Sequence, residues 1–394
     1  MERIAEQQPD KKGKPPMLSK KENEKLALVG PGTPAGKLLR RYWHPIAVAA
    51  ELKEKSVKRL RILGEDLVLY RGEEGSYGLI VERCAHRGAS LAYGSIEGCN
   101  IRCPYHGWLY SPAGKCLEQP AEPSHSTYKN RVMQTAYPVQ VVAGLVFTYM
   151  GPRPVPLLPS YDVFTRTDGS RHVVVWPQLN CNWLQPMENS VDPTHVHYLH
   201  GAGRGKPVHG DGNAEIKKYE FEPFEYGIMK KRFALNGNGK VEVVNQHPLV
   251  FPNMLRQHHG LEHYLQYRVP VDDTHTLFFE IYFLEGKADG AGSTEVPVEY
   301  APSAMKEDGS YRMDRVWTQD YMAWETAGAI FDRSQEHLAS ADRGILVFRK
   351  MLKEQIDRVS KGKDPMGVIR DPARNRLIAF NTITDSKREV GKGR

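Results

Sequence analysis

The chain has 394 residues, 40% of them hydrophobic and 26% charged, with a formal net charge of +7; that length supports two or three domains with cores of their own. Five cysteines, an odd number, argue against a disulfide framework and predict a reducing, cytoplasmic setting. No apolar run approaches the roughly 20 residues of a membrane helix, and the basic residues lack the interleaved aromatics of a nucleic-acid groove, so neither is an expected partner.

Residues 1–37 read as a polar tail, with Lys11, Lys12, Lys14, Lys20 and Lys21 and no apolar segment of a secretory signal. Lys387, Arg388, Lys392 and Arg394 repeat the pattern at the other end, and both are expected to be solvated charge. From 38 to 155, short β-rich runs such as Arg61–Leu63, Leu67–Tyr70 and Leu79–Val81 alternate with turn residues and predict an all-β domain. Within it lie Cys84-Ala-His86 and Cys103-Pro-Tyr-His106-Gly-Trp. Two Cys-His pairs at this spacing match a Rieske-type [2Fe-2S] cluster, in which one iron takes both thiolates and the other both imidazoles. A zinc knuckle, the alternative, more often uses Cys-x2-Cys or His-x3-His pairs. Cys99, Cys116 and Cys181 are expected to be inert small hydrophobes.

The proline-rich stretch Gly151 to Pro159 marks a boundary. Residues 156–394 mix strand-like segments with helical regions around 183–200 and 334–358. The fold class is therefore α+β: an all-β cluster domain, then a domain with a central antiparallel sheet flanked by helices.

The second domain opens with Asn182-Trp-Leu-Gln-Pro-Met-Glu188-Asn189-Ser-Val-Asp192-Pro193-Thr-His195-Val-His197-Tyr-Leu-His200. Three histidines in six residues, with Asp192 and Glu188 upstream, form a candidate metal site. Here the chain resembles the large subunits of the Rieske non-heme iron oxygenases, whose Asn-Trp opening and Glu-Asn-x-x-Asp-x-x-His-x4-His motif are matched by Asn182, Trp183, Glu188, Asn189, Asp192, His195 and His200. Its single-chain length, the run Leu117 to Pro123 and the run Asp332 to Leu338 resemble the phthalate 4,5-dioxygenase and aromatic O-demethylase branch.

The resemblance implies a mononuclear Fe(II) on two histidines and one carboxylate, a facial triad with open positions for oxygen and substrate. It selects His195 and His200 over His197 and gives Asn189 and Asp192 catalytic roles, with Asp192 joining His195 to the partner subunit's His106 across a homotrimer interface. His195 and His200 lie roughly 140° apart on a regular helix, so a kink or restart at Pro193 is expected. The third ligand must come from far away, from among Glu325, Asp332, Glu336 and Asp342. Asp342 is favoured: it falls inside the apolar stripe Leu338, Ile345, Leu346, Phe348, Leu352 and Ile356, and the family's third ligand comes from this late helix. His247, Phe251, Met254, His258, His259 and Tyr264 are candidate pocket liners, and Arg204, Arg256 or Arg268 could fork a substrate carboxylate.

No Gly-x-Gly-x-x-Gly fingerprint is present, so electrons from NAD(P)H are expected through a separate reductase or ferredoxin. The implied function is a terminal oxygenase that uses O2 to hydroxylate, cis-dihydroxylate or O-/N-dealkylate a small aromatic substrate. A Rieske electron carrier with a non-catalytic docking domain, or a zinc-stabilised binding protein, are the alternatives from other classes.

Overall fold

The computed structural model describes residues 18–201, 216–235, 238–286 and 296–383. The first domain is built from three small sheets. Trp43–Val48, Leu145–Tyr149 and Val139–Val142 form one, so the domain is closed by strands from both of its ends. Val57–Ile62, Glu65–Arg71, Tyr77–Val81 and Ala136–Tyr137 form the second, turned at Leu63 and Gly64, both at positive φ (51° and 79°). Four strands of two or three residues, from Ser95–Glu97 to Cys116–Glu118, form the third. A separate core of Val68, Tyr70, Ile80, Leu91, Ile101 and Tyr110 encloses the Cys84 and Cys103 sulfurs.

The expected tail is corrected from Lys20 onward. Helices α1 (Lys20–Ala27) and α2 (Pro34–Leu39) start at the hydroxyl caps Ser19 and Thr33, and Leu26, Ala27, Leu38 and Leu39 are fully buried. Lys25 pairs with Asp357 (2.8 Å) and Lys353 with Glu22 (2.9 Å), tying α1 to the last long helix. The lysine count concealed this: the charges lie on the outer face while the sparse leucines turn inward. Lys11, Lys12, Lys14, Lys387, Arg388, Lys392 and Arg394 lie outside the described residues.

The second domain is organised by one sheet of eight strands. In chain order they are β1 (Gly169–Leu179), β2 (Ile216–Phe224), β3 (Gly227–Leu235), β4 (Val241–Val250), β5 (Met254–His259), β6 (Glu262–Pro270), β7 (Thr276–Glu285) and β8 (Val298–Tyr300). Their spatial order is β2-β3-β4-β5-β6-β7-β1-β8, antiparallel except for the β1–β8 pair. Consecutive strands are neighbours from β2 to β7, as hairpin connections dictate. Helices α3 (Leu184–Asn189), α4 (Thr194–Tyr198) and α5 (Val316–Thr326) supply residues to the cavity on one face of the sheet. The long helix α6 (Arg343–Ser360) buries Phe348, Leu352 and Ile356. It begins at Arg343, not at residue 334 as its stripe predicted, because 332–339 is irregular chain with one turn at 333–334. Among the described residues no helix is long and apolar enough to cross a membrane.

Candidate active site

The two Cys-His segments fold into twin loops. In the first, Gly88 N–H donates to the Cys84 carbonyl (2.8 Å) and Cys84 N–H to the Ala89 carbonyl (2.9 Å). In the second, Gly107 bonds back to Cys103 (3.1 Å) and Cys103 N–H to Trp108 (2.8 Å). Gly88 and Gly107 have φ of 75° and 72°, a conformation that costs glycine little and other residues much. Each loop thus turns its cysteine inward and, two or three residues later, its histidine outward. The Cys84 and Cys103 thiols are buried, and the His86 and His106 rings are half-buried at 4.6 Å between centroids. Trp108 stacks on His86 at 4.2 Å, Tyr110 Oη lies 3.2 Å from the Cys84 sulfur, and Gln134 spans the first loop through Val81, Arg83 and Ala85. Burial pushes the Cys103 thiol up, so a free thiolate there is disfavoured unless a cation shares the pocket. All five cysteines are free thiols; Cys116 and Cys181 are buried, but Cys99 is exposed rather than packed as a hydrophobe.

The second centre forms where α3, α4 and α5 meet. Pro193 precedes α4, which ends at Tyr198, so His200 lies beyond the helix and escapes its angular spacing. The restart at Pro193 is present; the early end of α4 completes the convergence. The rings of His195 and His200 stand 5.2 Å apart at 82°. Nε2 of His195 is 3.8 Å and Nε2 of His200 3.4 Å from Oδ1 of Asp320. On their far sides, the Gln319 amide oxygen lies 2.9 Å from His200 Nδ1, and Asp192 faces His195 Nδ1 at 3.6 Å, beyond hydrogen-bond distance.

These contacts test whether the donors fit a cation. Gln319 Nε2 donates to the Met313 carbonyl (2.9 Å), so its oxygen must face His200 and accept the Nδ1 proton. Nε2 is then the ring atom left to face the Asp320 carboxylate, 3.4 Å away. A divalent cation seated between them would take one donor atom from each. Asp320 Oδ1 is moreover buried without a hydrogen-bond partner, and burial pushes its carboxyl up against the pull of both histidines and Arg268. The set fits a divalent metal in a two-His, one-carboxylate site.

Asp342, favoured from the sequence, does not join it. Its carboxylate accepts from the Ala339 N–H (2.7 Å) at the entry to α6. The apolar stripe was extended across a helix start, which turned an end-of-helix residue into an apparent interior one. The better signal lay in α5, where Asp320 sits within the aromatic stripe Trp317, Tyr321 and Trp324. Of the other carboxylates weighed, Glu325 accepts from Tyr311, Asp332 caps Ser334, and Glu336 pairs with Arg349. Glu188 is buried between Arg333 (2.8 Å) and Arg349 (2.6 Å), and His197 lies off the cluster. Asn189 borders the cavity, and its carbonyl accepts the Asp192 N–H (3.0 Å).

The cavity, of about 180 Å³, lies between this centre and the sheet. Side chains alternate along a strand, and only one parity reaches it: Lys230 and Arg232 on β3, Asn245 and His247 on β4, Gln257 and His259 on β5, Tyr264 and Arg268 on β6. His247, His259 and Tyr264 therefore line it as expected, whereas Phe251, Met254 and His258 do not. Arg256 has the wrong parity and is spent on buried Asp162 (2.6 Å). Arg204 lies outside the described residues. Arg268 is buried beneath the cavity, with Nη2 on Gln266 (2.6 Å) but Nε and Nη1 without partners. Burial also pushes the Lys230 ammonium down to about 7, Arg232 adding to the effect and Asp192 opposing it.

Comparison with known proteins places this geometry in a family. Residues 42–136 match the Rieske [2Fe-2S] domain and 301–391 a LigXa C-terminal domain like family. The chain is 38% identical over 382 residues to the 5,5'-dehydrodivanillate O-demethylase oxygenase subunit of Sphingobium sp. (93% of this chain, 87% of that one). It is 35% identical to the phenoxybenzoate dioxygenase subunit alpha of Ectopseudomonas oleovorans, covering 87% of each. The terminal oxygenase of carbazole 1,9a-dioxygenase from Novosphingobium sp. KA1 shares the fold, with a TM-score of 0.61 at 21% identity over 84% of this chain and 93% of that one. The chain belongs to the Rieske non-heme iron oxygenases. Within them it is a terminal oxygenase that hydroxylates or dealkylates aromatic substrates, and its cofactors are a Rieske [2Fe-2S] cluster and a mononuclear iron.

Proposed function

We propose that this chain oxygenates an aromatic carboxylate, with Cys84, His86, Cys103 and His106 holding the cluster, and His195, His200 and Asp320 holding the iron. When bound, the two metal centres supply stored electrons and oxygen activation. The observation that carries the substrate class is Arg268: a buried guanidinium with two orphaned donors under the cavity. Unmade hydrogen bonds of this kind cost about 1–3 kcal/mol each, and a ligand carboxylate relieves that cost through charge-assisted bonds. Lys230, whose one direct partner among the described residues is the neutral Ser190 carbonyl (3.0 Å), adds a second cation. The names of both relatives above contain a carboxylate substrate, divanillate and phenoxybenzoate, which supports the same class.

The chain's residues divide the remaining work. Gln319 fixes the His200 tautomer, and Asp192 faces the far nitrogen of His195. Trp176, Phe278, Trp317 and Trp324 give the cavity an apolar side that receives the ring and keeps water from it. In a homotrimer, Asp192 joins this histidine to the partner subunit's His106, and a separate reductase or ferredoxin delivers the electrons. The test is turnover of a panel of aromatic acids, methoxy-aromatic acids and their amides with a surrogate reductase, products being identified by mass spectrometry. Oxygenated products from acids but not from the matching amides are expected. Equal turnover of acids and amides would discard the carboxylate reading.

A further inference from the structure

Resting on that reading, the cavity wall opposite the metal carries a second polar feature that a carboxylate does not use. Tyr264 Oη lies 2.9 Å from His259 Nε2 and donates to Oε1 of the Gln257 side-chain amide. Gln257 Nε2 lies 3.3 Å from His247 Nε2, and His247 Nδ1 lies 2.8 Å from Asn245 Oδ1. All five residues line the same cavity. The chain runs in one direction: the Gln257 amide donates to His247 Nε2, so the proton of that imidazole sits on Nδ1 and goes to Asn245. A single ring proton is consistent with burial, which holds His247 well below the usual histidine range, the Lys230 and Arg232 cations adding to it.

The last member is therefore the informative one. With its oxygen bonded to His247, Asn245 keeps its amide N–H donors for the cavity. His247 Nε2 and Gln257 are consumed within the row, so Asn245 is its outlet. Asn245 is half-buried, whereas His247 and Tyr264 are buried. Asn245 is on β4 and Arg268 on β6, with β5 between them. Arg268 pairs with Asn253 just before β5, whereas β4 runs from the Leu249–Leu255 pair toward Asn245 at the far end of β5, so the groups they recognise sit at different ends of one substrate.

We infer that Asn245, oriented by His247, Gln257 and Tyr264, is a specificity residue that donates to an oxygen borne on the aromatic ring away from the carboxylate. That oxygen is an acceptor, either of a phenol or of an aryl ether. Asn245 touches neither the cluster loops nor the histidine–carboxylate centre, so its removal should leave both metals in place.

The experiment measures direct binding to the iron-loaded oxygenase by calorimetry, using benzoate, 4-hydroxybenzoate and 4-methoxybenzoate. Wild-type protein should bind at least one oxygenated acid on the order of tenfold more tightly than benzoate, the size of one net hydrogen bond. In Asn245→Leu that advantage should vanish while benzoate affinity is unchanged. Asn245→Asp keeps the acceptor toward His247 but removes the donor, so it should lose the methoxy advantage, while a phenol O–H can still donate to the new carboxylate. An advantage confined to the hydroxy acid assigns the phenol, and one confined to the methoxy acid assigns the ether. Equal binding of all three by wild type, or equal loss of all three in Asn245→Leu, overturns the inference. If no acid binds, the carboxylate reading fails instead; p-cresol against toluene then reads Asn245 alone, and no preference for p-cresol overturns it.

Discussion

Gln319 is clamped between the Met313 carbonyl and Nδ1 of His200, each at 2.9 Å, and neighbours Asp320 in the sequence. One turn of α5 therefore delivers both a carboxylate toward the metal position and the group that orients a facing imidazole. Outer partners of metal-bound histidines typically account for about 10- to 100-fold in affinity. Gln319→Leu should weaken iron binding by that order in a chelator competition, while the visible spectrum of the cluster stays intact. Gln319→Glu, which still accepts from Nδ1, should retain most of the affinity. Equal losses in both variants would show that Gln319 acts only as packing.

Asp320 and Asp342 make a paired test. Asp320→Ala should lose the mononuclear iron, lowering total iron from about three to about two per chain, as a [2Fe-2S] cluster alone requires. Asp342→Ala should keep all the iron and lose only an end-of-helix contact, about 1 kcal/mol of stability. The reverse pattern in metal analysis would return the ligand to α6.

This pair also shows what was legible in the sequence. The cluster loops are local: cysteine, histidine and glycine within five residues fix both the turn and the donors. His195 and His200 are local too, although their convergence depends on where α4 stops, which no periodicity announces. The third carboxylate comes from more than a hundred residues later, and only packing decides which late helix faces α4. The same stripe argument that singled out Asp342 applies with more force to Asp320 among Trp317, Tyr321 and Trp324. The buried N-terminal helices escaped because a lysine-rich face says nothing about the opposite one.

Arg268 predicts a trade between binding and stability. Arg268→Met should raise KM for aromatic acids roughly 10- to 100-fold, matching about 1.5–3 kcal/mol for a bond to a charged group. It should leave the substrate-free protein as stable as wild type or more so, because an incompletely paired buried cation is removed. A lower melting temperature together with unchanged KM would reassign Arg268 to the scaffold.

Lys230 predicts a pH dependence. Its ammonium is held down to about 7, so above that pH the empty pocket loses a cation, and acid binding there must take a proton up. Affinity for benzoate should fall as pH rises through 7. Titrations at pH 8 in buffers of different ionisation enthalpy should report proton uptake, which Lys230→Met should abolish. No uptake in wild type would remove Lys230 from the anion site.

Glu188 tests the scaffold under the motif. Burial opposes its ionisation, but Arg333 and Arg349 outweigh that and hold the carboxyl below its ordinary range. Because its folded value lies below the unfolded one, its stabilisation is complete above the ordinary glutamate range and is lost as pH falls through the folded value. Glu188→Gln should destabilise by about 3–5 kcal/mol at neutral pH by leaving two arginines short of a counter-charge. The gap in denaturant midpoint between variant and wild type should narrow in acid; a gap independent of pH would refute this account.

The alternation along β3 to β6 separates two kinds of information in one stretch of chain. Residues of one parity line the cavity, and those between them, such as Leu265, Val269, Gln246 and Arg256, hold the sheet together. Substitutions can thus accumulate on the floor of the cavity without passing through the core, and the core can drift without changing what the floor recognises. A descendant of this enzyme could change its diet at every second letter and keep its architecture.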